Sequence, residues 1–159
     1  MVPRIWLFLL VLCFGLPALA QTTADNARLI SDSLQIADEN NLIAEGNVEI
    51  FYQGQTLTAS RVVYNQETDR LQIEGPIVLS DGSSSTILAS QGEMSADLTE
   101  GVLRSARLVM AQQMQIASST LQRVSGRYTA MNSVIASSCK VCATSSTPLW
   151  ELRAKRVVH

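Results

Sequence analysis

One nine-residue pattern occurs twice, 29 residues apart: Leu42-Ile43-Ala44-Glu45-Gly46-Asn47-Val48-Glu49-Ile50 and Leu71-Gln72-Ile73-Glu74-Gly75-Pro76-Ile77-Val78-Leu79. Both copies alternate apolar and polar residues, the period of a strand with one buried face. Leu42, Ala44, Gly46, Val48 and Ile50 share the apolar face of the first copy; Leu71, Ile73, Gly75, Ile77 and Leu79 share that of the second. A glycine weakens a strand, so one repeated at the same place implies a bend, a bulge or a close backbone approach. A repeat of this length implies stacked supersecondary units.

The repeat extends beyond its two best copies. A tag ending in Ser recurs at Ile30-Ser31, Ala59-Ser60, Ala89-Ser90 and Ala117-Ser118, with spacings of 29, 30 and 28. The closing segment Leu152-Arg153-Ala154-Lys155-Arg156-Val157-Val158-His159 echoes Leu57-Thr58-Ala59-Ser60-Arg61-Val62-Val63-Tyr64. Polar and glycine-containing turns at 38–41, 53–55, 65–69 and 81–85 separate alternating runs, with weaker breaks at 95–101 and 125–126. These signals predict strands near 29–37, 42–52, 56–64, 70–79, 86–94, 102–110, 112–118, 121–128 and 131–137, and a last strand from Leu149. A helix over Met94–Met110 is disfavoured by Gly101 and the β-branched flanks. One hairpin cannot bury its apolar face alone, but stacked hairpins can. The expected fold is all-β, an elongated open jelly roll of two folded-over antiparallel sheets built from ~29-residue hairpin repeats.

Residues 1–20 have the form of a secretory signal: Arg4, an apolar run from Ile5 to Leu16, and Ala18-Leu19-Ala20 as a small-x-small cleavage site. The apolar run is short for a membrane anchor. Residues 21–28 read as a flexible lead-in, 29–137 as the jelly-roll domain, and 138–159 as a Cys-containing loop with a closing junction. Loss of Arg4 with the signal leaves 11 basic and 14 acidic residues, a net charge of −3. That charge argues against a nucleic-acid partner, which calls for a basic stripe.

Catalytic chemistry is poorly represented. His159 is the only histidine, so neither a Ser/His/Asp arrangement nor a zinc site is expected, and no cofactor is implied. Glu45 and Glu74 are related by the repeat but belong to the polar face of their strands. An exported chain meets oxidising conditions, so Cys139 and Cys142 are read as disulfide-forming, either with each other or with cysteines elsewhere. The inward residues Leu42, Ala44, Val48, Ile50, Leu71, Ile73, Ile77 and Leu79 are either the core of a sealed sandwich or the lining of a trough. A lining of this kind suits acyl chains, which need dryness rather than hydrogen bonds.

The tandem L-x-A-E-G-x-V pattern, followed by L-x-A-x-x-x-x-Y at Leu57–Tyr64, resembles the OstA-type β-jelly-roll domain of the lipopolysaccharide transport family, found in LptA, LptC and the N-terminal part of LptD. Ser138-Cys139, then Pro148-Leu149-Trp150-Glu151-Leu152-Arg153-Ala154 and Arg156-Val157-Val158-His159, is similar to the LptD junction that leads into an outer-membrane barrel. The resemblance implies a periplasmic domain, associated with the outer membrane, that shields lipopolysaccharide acyl chains in its trough. It implies as partners other jelly-roll Lpt proteins joined by strand edges, a barrel segment and its plug lipoprotein. It also implies that Cys139 pairs with a barrel cysteine; Cys142 is an addition to the pattern. The barrel itself is missing from this sequence. A free-standing LptA-like bridge and, in a different class, a sealed β-solenoid or adhesin-like module are the competing readings.

Overall fold

A computed structural model describes residues 27–82, 85–110, 114–125, 128–138 and 150–158. The signal, most of the lead-in, the loop with Cys139 and Cys142, and His159 lie outside the described residues.

The described residues form ten strands: β1 (Arg28–Ile30), β2 (Ser33–Ile36), β3 (Asn41–Tyr52), β4 (Gln55–Asn65), β5 (Arg70–Ser80), β6 (Ser85–Ser95), β7 (Gly101–Met110), β8 (Met114–Val124), β9 (Tyr128–Ser138) and β10 (Glu151–Val158). They make one antiparallel sheet in the order β1-β3-β4-β5-β6-β7-β8-β9-β10, with β2 also paired to β3. The expected all-β jelly roll is therefore present. Its two layers are halves of a single sheet, because nearly every strand bends near its middle and continues into both.

The bend explains both sequence repeats. In β3 and β5 the Glu-Gly-x triplets carry an extra residue: the register shifts between Glu45 and Val48, and between Glu74 and Ile77. Gly46 and Asn47 take positive φ angles of 75° and 45°, and Ser105 in β7 and Ser133 in β9 do the same at their bends. An extra or left-handed residue frees a carbonyl from the ladder, and a buried or crowded carbonyl needs a new donor. The serine tags supply it. Ser60 Oγ donates to the Gly75 carbonyl at 3.1 Å, Ser90 Oγ to that of Arg104 at 3.2 Å, and Ser119 Oγ to that of Asn132 at 3.1 Å. The Glu-Gly pattern and the Ala-Ser tag are thus opposite sides of one joint. Ser119, not Ser118, occupies the third joint; Ser118 points inward and is buried. At the first tag, Ser31 bonds only its local neighbour Ser33.

The bends also change which residues face inward. Buried positions run Leu57, Ala59, then Val62 in β4; Leu103, then Ala106, Leu108 in β7; Leu121 after Ser118 in β8; and Met131, then Val134, Ala136 in β9. Two consecutive residues face out at these four joints, so alternation resumes on the other parity, whereas the three-residue bulges of β3 and β5 keep it. That is why one strand, β8, stands where two (112–118 and 121–128) are predicted: the break at Ser119-Thr120 is a joint within a strand. Conversely, the predicted strand 29–37 is split into β1 and β2 around Asp32, which reaches into the β3 bulge. The Asp32 N–H donates to the Gly46 carbonyl at 2.9 Å, and Asn47 Nδ2 donates to Asp32 Oδ2 at 2.8 Å.

The roll has two rims. The first carries the β3–β4 and β5–β6 turns. The second carries the turns after β2, β4, β6 and β8, tied together in series. Gln66 N–H donates to Asn40 O at 2.8 Å, Ala96 N–H to Asp69 O at 3.1 Å, and Ser125 Oγ to Glu100 Oε1 at 3.1 Å.

Candidate lipid-binding interior

The eight residues expected to line the interior all point into it. Val48, Ile50, Ile77 and Leu79 come from the half-sheet nearer the first rim. Leu42, Ala44, Leu71 and Ile73 come from the half nearer the second. Seven are buried and Leu42, at the second rim, is half-buried. The seven buried ones belong to one continuous apolar cluster contributed by β3 to β9.

The predicted set holds 7 of the 22 buried residues of this cluster, so about two thirds of the lining was missed. Val62, Leu103, Leu121, Met131 and Val134 are as deeply buried as the predicted set, yet their strands change parity midway, so a simple period-2 reading assigns them to the wrong face. Met94 and Leu98 were also missed. Leu98 lies in the β6–β7 turn, where a polar loop is expected, but its side chain is fully buried and its φ is +59°. The left-handed conformation turns it into the core, at a cost of about 1–2 kcal/mol for a branched side chain. The turn is held by Asp97, whose carboxylate accepts from Thr99 N–H at 3.0 Å and Thr99 Oγ1 at 2.8 Å, and from the Ser95 hydroxyl. Burial raises the Asp97 pKa, but these hydrogen bonds outweigh it and hold the carboxyl below its ordinary range.

The lining is almost free of polar atoms. Among the described residues the buried polar side chain is Ser118, whose hydroxyl donates to Ala106 O at 3.5 Å; Arg123 lies half-buried at the end of β8. Arg123 Nη1 donates to Gln55 Oε1 at 3.1 Å. Burial pushes the Arg123 pKa down, while the charges of Asp81 and Asp97 oppose that shift. β4 and β8 are separated in the sheet by β5, β6 and β7. The Arg123–Gln55 bond therefore joins the second rim to the first, where the folded sheet meets itself.

Outside, Glu45 and Glu74 share one partner. Arg61 donates to Glu45 Oε1 and to Glu74 Oε1, each at 2.9 Å, across β3, β4 and β5. The hydrogen bond to Glu45 is the main cause of the raised Arg61 pKa. The repeat-related carboxylates are thus ion-pair partners on the exposed face of the joint, far from an arrangement of paired acid and base. Among the described residues no group of His, Cys, Asp and Glu is placed to hold a metal ion.

Both ends of the sheet expose apolar side chains: Leu34 and Ile36 on β2, Leu152 and Val158 on β10. The echo of β4 in β10 shows what an edge changes. Ala154 and Val157 pack partly against the core as Ala59 and Val62 do in full, but Leu152 is 55% exposed where Leu57 is 0%. The echoed pattern is left uncovered because, among the described residues, β10 pairs on one side only, with β9.

The arrangement has a counterpart among solved structures. LptH of Pseudomonas aeruginosa, described as the LptA-homologous periplasmic component of the conserved lipopolysaccharide transport device, matches over 82% of this chain and 94% of its own, with a TM-score of 0.57. The two chains share a fold. Their sequences are 14% identical, so the likeness is one of architecture. No family model and no curated protein sequence matches the chain.

Proposed function

We propose that the chain is a periplasmic lipid-transport domain that shields lipopolysaccharide acyl chains between its two half-sheets and passes them towards the outer membrane. The observation that carries this reading is the inner surface: a continuous, nearly unpolar lining contributed by β3 to β9, on a fold shared with a periplasmic component of a lipopolysaccharide transport device. Burying a methylene is worth about 0.8 kcal/mol, so a chain of ~14 carbons fully enclosed would approach 11 kcal/mol. Tails held so tightly would not move on. A lining of repeated, near-equivalent positions favours transfer because neighbouring sites differ little in energy. The uncovered edges at β2 and β10 suit strand-edge pairing with other jelly rolls, which would extend the trough from protein to protein.

Within this reading the chain is of the LptD N-terminal type, on the strength of the Cys139…Trp150…His159 closing pattern. Cys139 and Cys142 then serve as disulfide cysteines, Cys139 towards a barrel segment with its plug lipoprotein. The second reading is a free-standing bridge of the LptA type. End-to-end oligomers of the isolated chain would favour that one.

Photo-crosslinkers at Ile50 and Ile73, with Glu49 and Gln72 on the opposite face as controls, test the lining. Crosslinks to lipopolysaccharide from the first pair alone are expected. No labelling at either apolar position would instead favour a sealed structural module. Ile73→Asp is expected to stop lipid passage in a domain that still folds, and normal passage through that variant would refute the assignment.

A further inference from the structure

A trough that keeps fatty tails inside and sugars outside has to admit the tails somewhere. Two routes exist in this fold: end-on, past an edge strand, or sideways, through the seam where the rims meet opposite the joints. Arg123 of the second rim reaches Gln55 of the first at 3.1 Å. Asp81 on the first rim and Asp97 on the second exert opposing charges on it. Leu98, next to Asp97 in the β6–β7 turn, is fully buried. The two sides differ in construction. The second rim is a series of hydrogen-bonded turns, whereas on the first rim the Gly54 and Gly82 turns meet backbone to backbone.

We propose that Arg123 is a latch across this seam, holding the end of β8 on one rim to Gln55 on the other, and that acyl chains enter sideways when it releases. The inference rests on the lipid-transport reading above. Its physical basis is that Arg123 is the one cation among the described residues that faces the interior, and that the guanidinium is half withdrawn from water with a neutral amide as its hydrogen-bond partner. Such a contact is strong enough to hold two rims in register and weak enough to break thermally. A tail can pass such a slit while its head group stays in water.

The test uses the mature chain with Cys139→Ser and Cys142→Ser, carrying Gln55→Cys and Arg123→Cys, and a fluorescent lipopolysaccharide as probe. A short bis-maleimide bridges the seam, and circular dichroism checks that each form is folded. Loading of the bridged protein is expected to be slower than that of the unbridged one by about tenfold or more, and Arg123→Gln is expected to load faster than the unaltered chain by a factor on the order of ten, the equivalent of one modest hydrogen bond. Equal rates for bridged and unbridged protein overturn the latch and leave end-on entry. If no form loads, the unaltered chain included, the lipid reading fails, and the latch with it.

Discussion

Gly75→Ala is the sharpest test of how this sheet is folded over. A Cβ at Gly75 would lie 2.4 Å from the Ser90 carbonyl oxygen, 2.9 Å from its carbon and 3.0 Å from the Ala89 oxygen. All three are backbone atoms of β6, so no side-chain rotation relieves the contact. Either β5 or β6 has to move by more than half an ångström at the joint. Forcing atoms into a packed site costs about 1–3 kcal/mol, and the displaced Gly75 carbonyl would also lose its hydrogen bond from Ser60, worth about 1 kcal/mol. Against this, alanine restricts the unfolded chain and returns about 0.4–1 kcal/mol. The net loss is about 2–3 kcal/mol, which lowers a urea midpoint by about 1–2 M at a typical denaturant slope. Gly54→Ala is the control. Nothing lies within 4 Å of its Cβ position, but its φ is +78°, so only the left-handed penalty of about 1 kcal/mol applies. If Gly54→Ala costs as much as Gly75→Ala, the glycine of the second repeat is not there for close approach, and the account of the joint is wrong.

Other consequences can be checked in the same way. Ser119→Ala is expected to destabilise by about 1 kcal/mol through the orphaned Asn132 carbonyl, whereas Ser118→Ala, which gives up a long 3.5 Å bond from a buried hydroxyl, should be near neutral; the reverse order in urea melts would contradict the assignment of the third joint. The Asp97 carboxyl titrates lower in the folded chain than in the unfolded one. Its contribution is therefore present above the unfolded value, near pH 4, and is lost as pH falls through the depressed folded value. Asp97→Asn should flatten the loss of stability between about pH 5 and pH 2, and an unchanged slope would refute the role given to its hydrogen bonds. Leu152→Glu should weaken end-to-end association while leaving the monomer's melting temperature within a degree or two, because an exposed edge position contributes little to folding, within about 0.5 kcal/mol. A large loss of stability would show that Leu152 is packed.

Much of this protein is written in its local sequence. The alternation in Leu42–Ile50 and Leu71–Leu79 places their apolar residues on one face whatever surrounds them, since a strand has no other period available to it. Turn residues separate the hairpins, and the repeat itself calls for stacking. The glycine of each copy announces a joint, as Gly75 bears out. What local sequence does not carry is the change of face at the joints of β4, β7, β8 and β9. Ser60-Arg61 and Ser119-Thr120 look like ordinary polar residues or like a loop, and only the partner strand's freed carbonyl makes them a hinge. Leu98 is similar: its burial depends on a left-handed turn held by Asp97, not on any period. The seam is more remote still. Arg123 and Gln55 are 68 residues apart, and nothing near either one points to the other. Their meeting depends on how far the whole sheet curls, which is the sum of every joint along it, and so belongs to the tertiary structure alone.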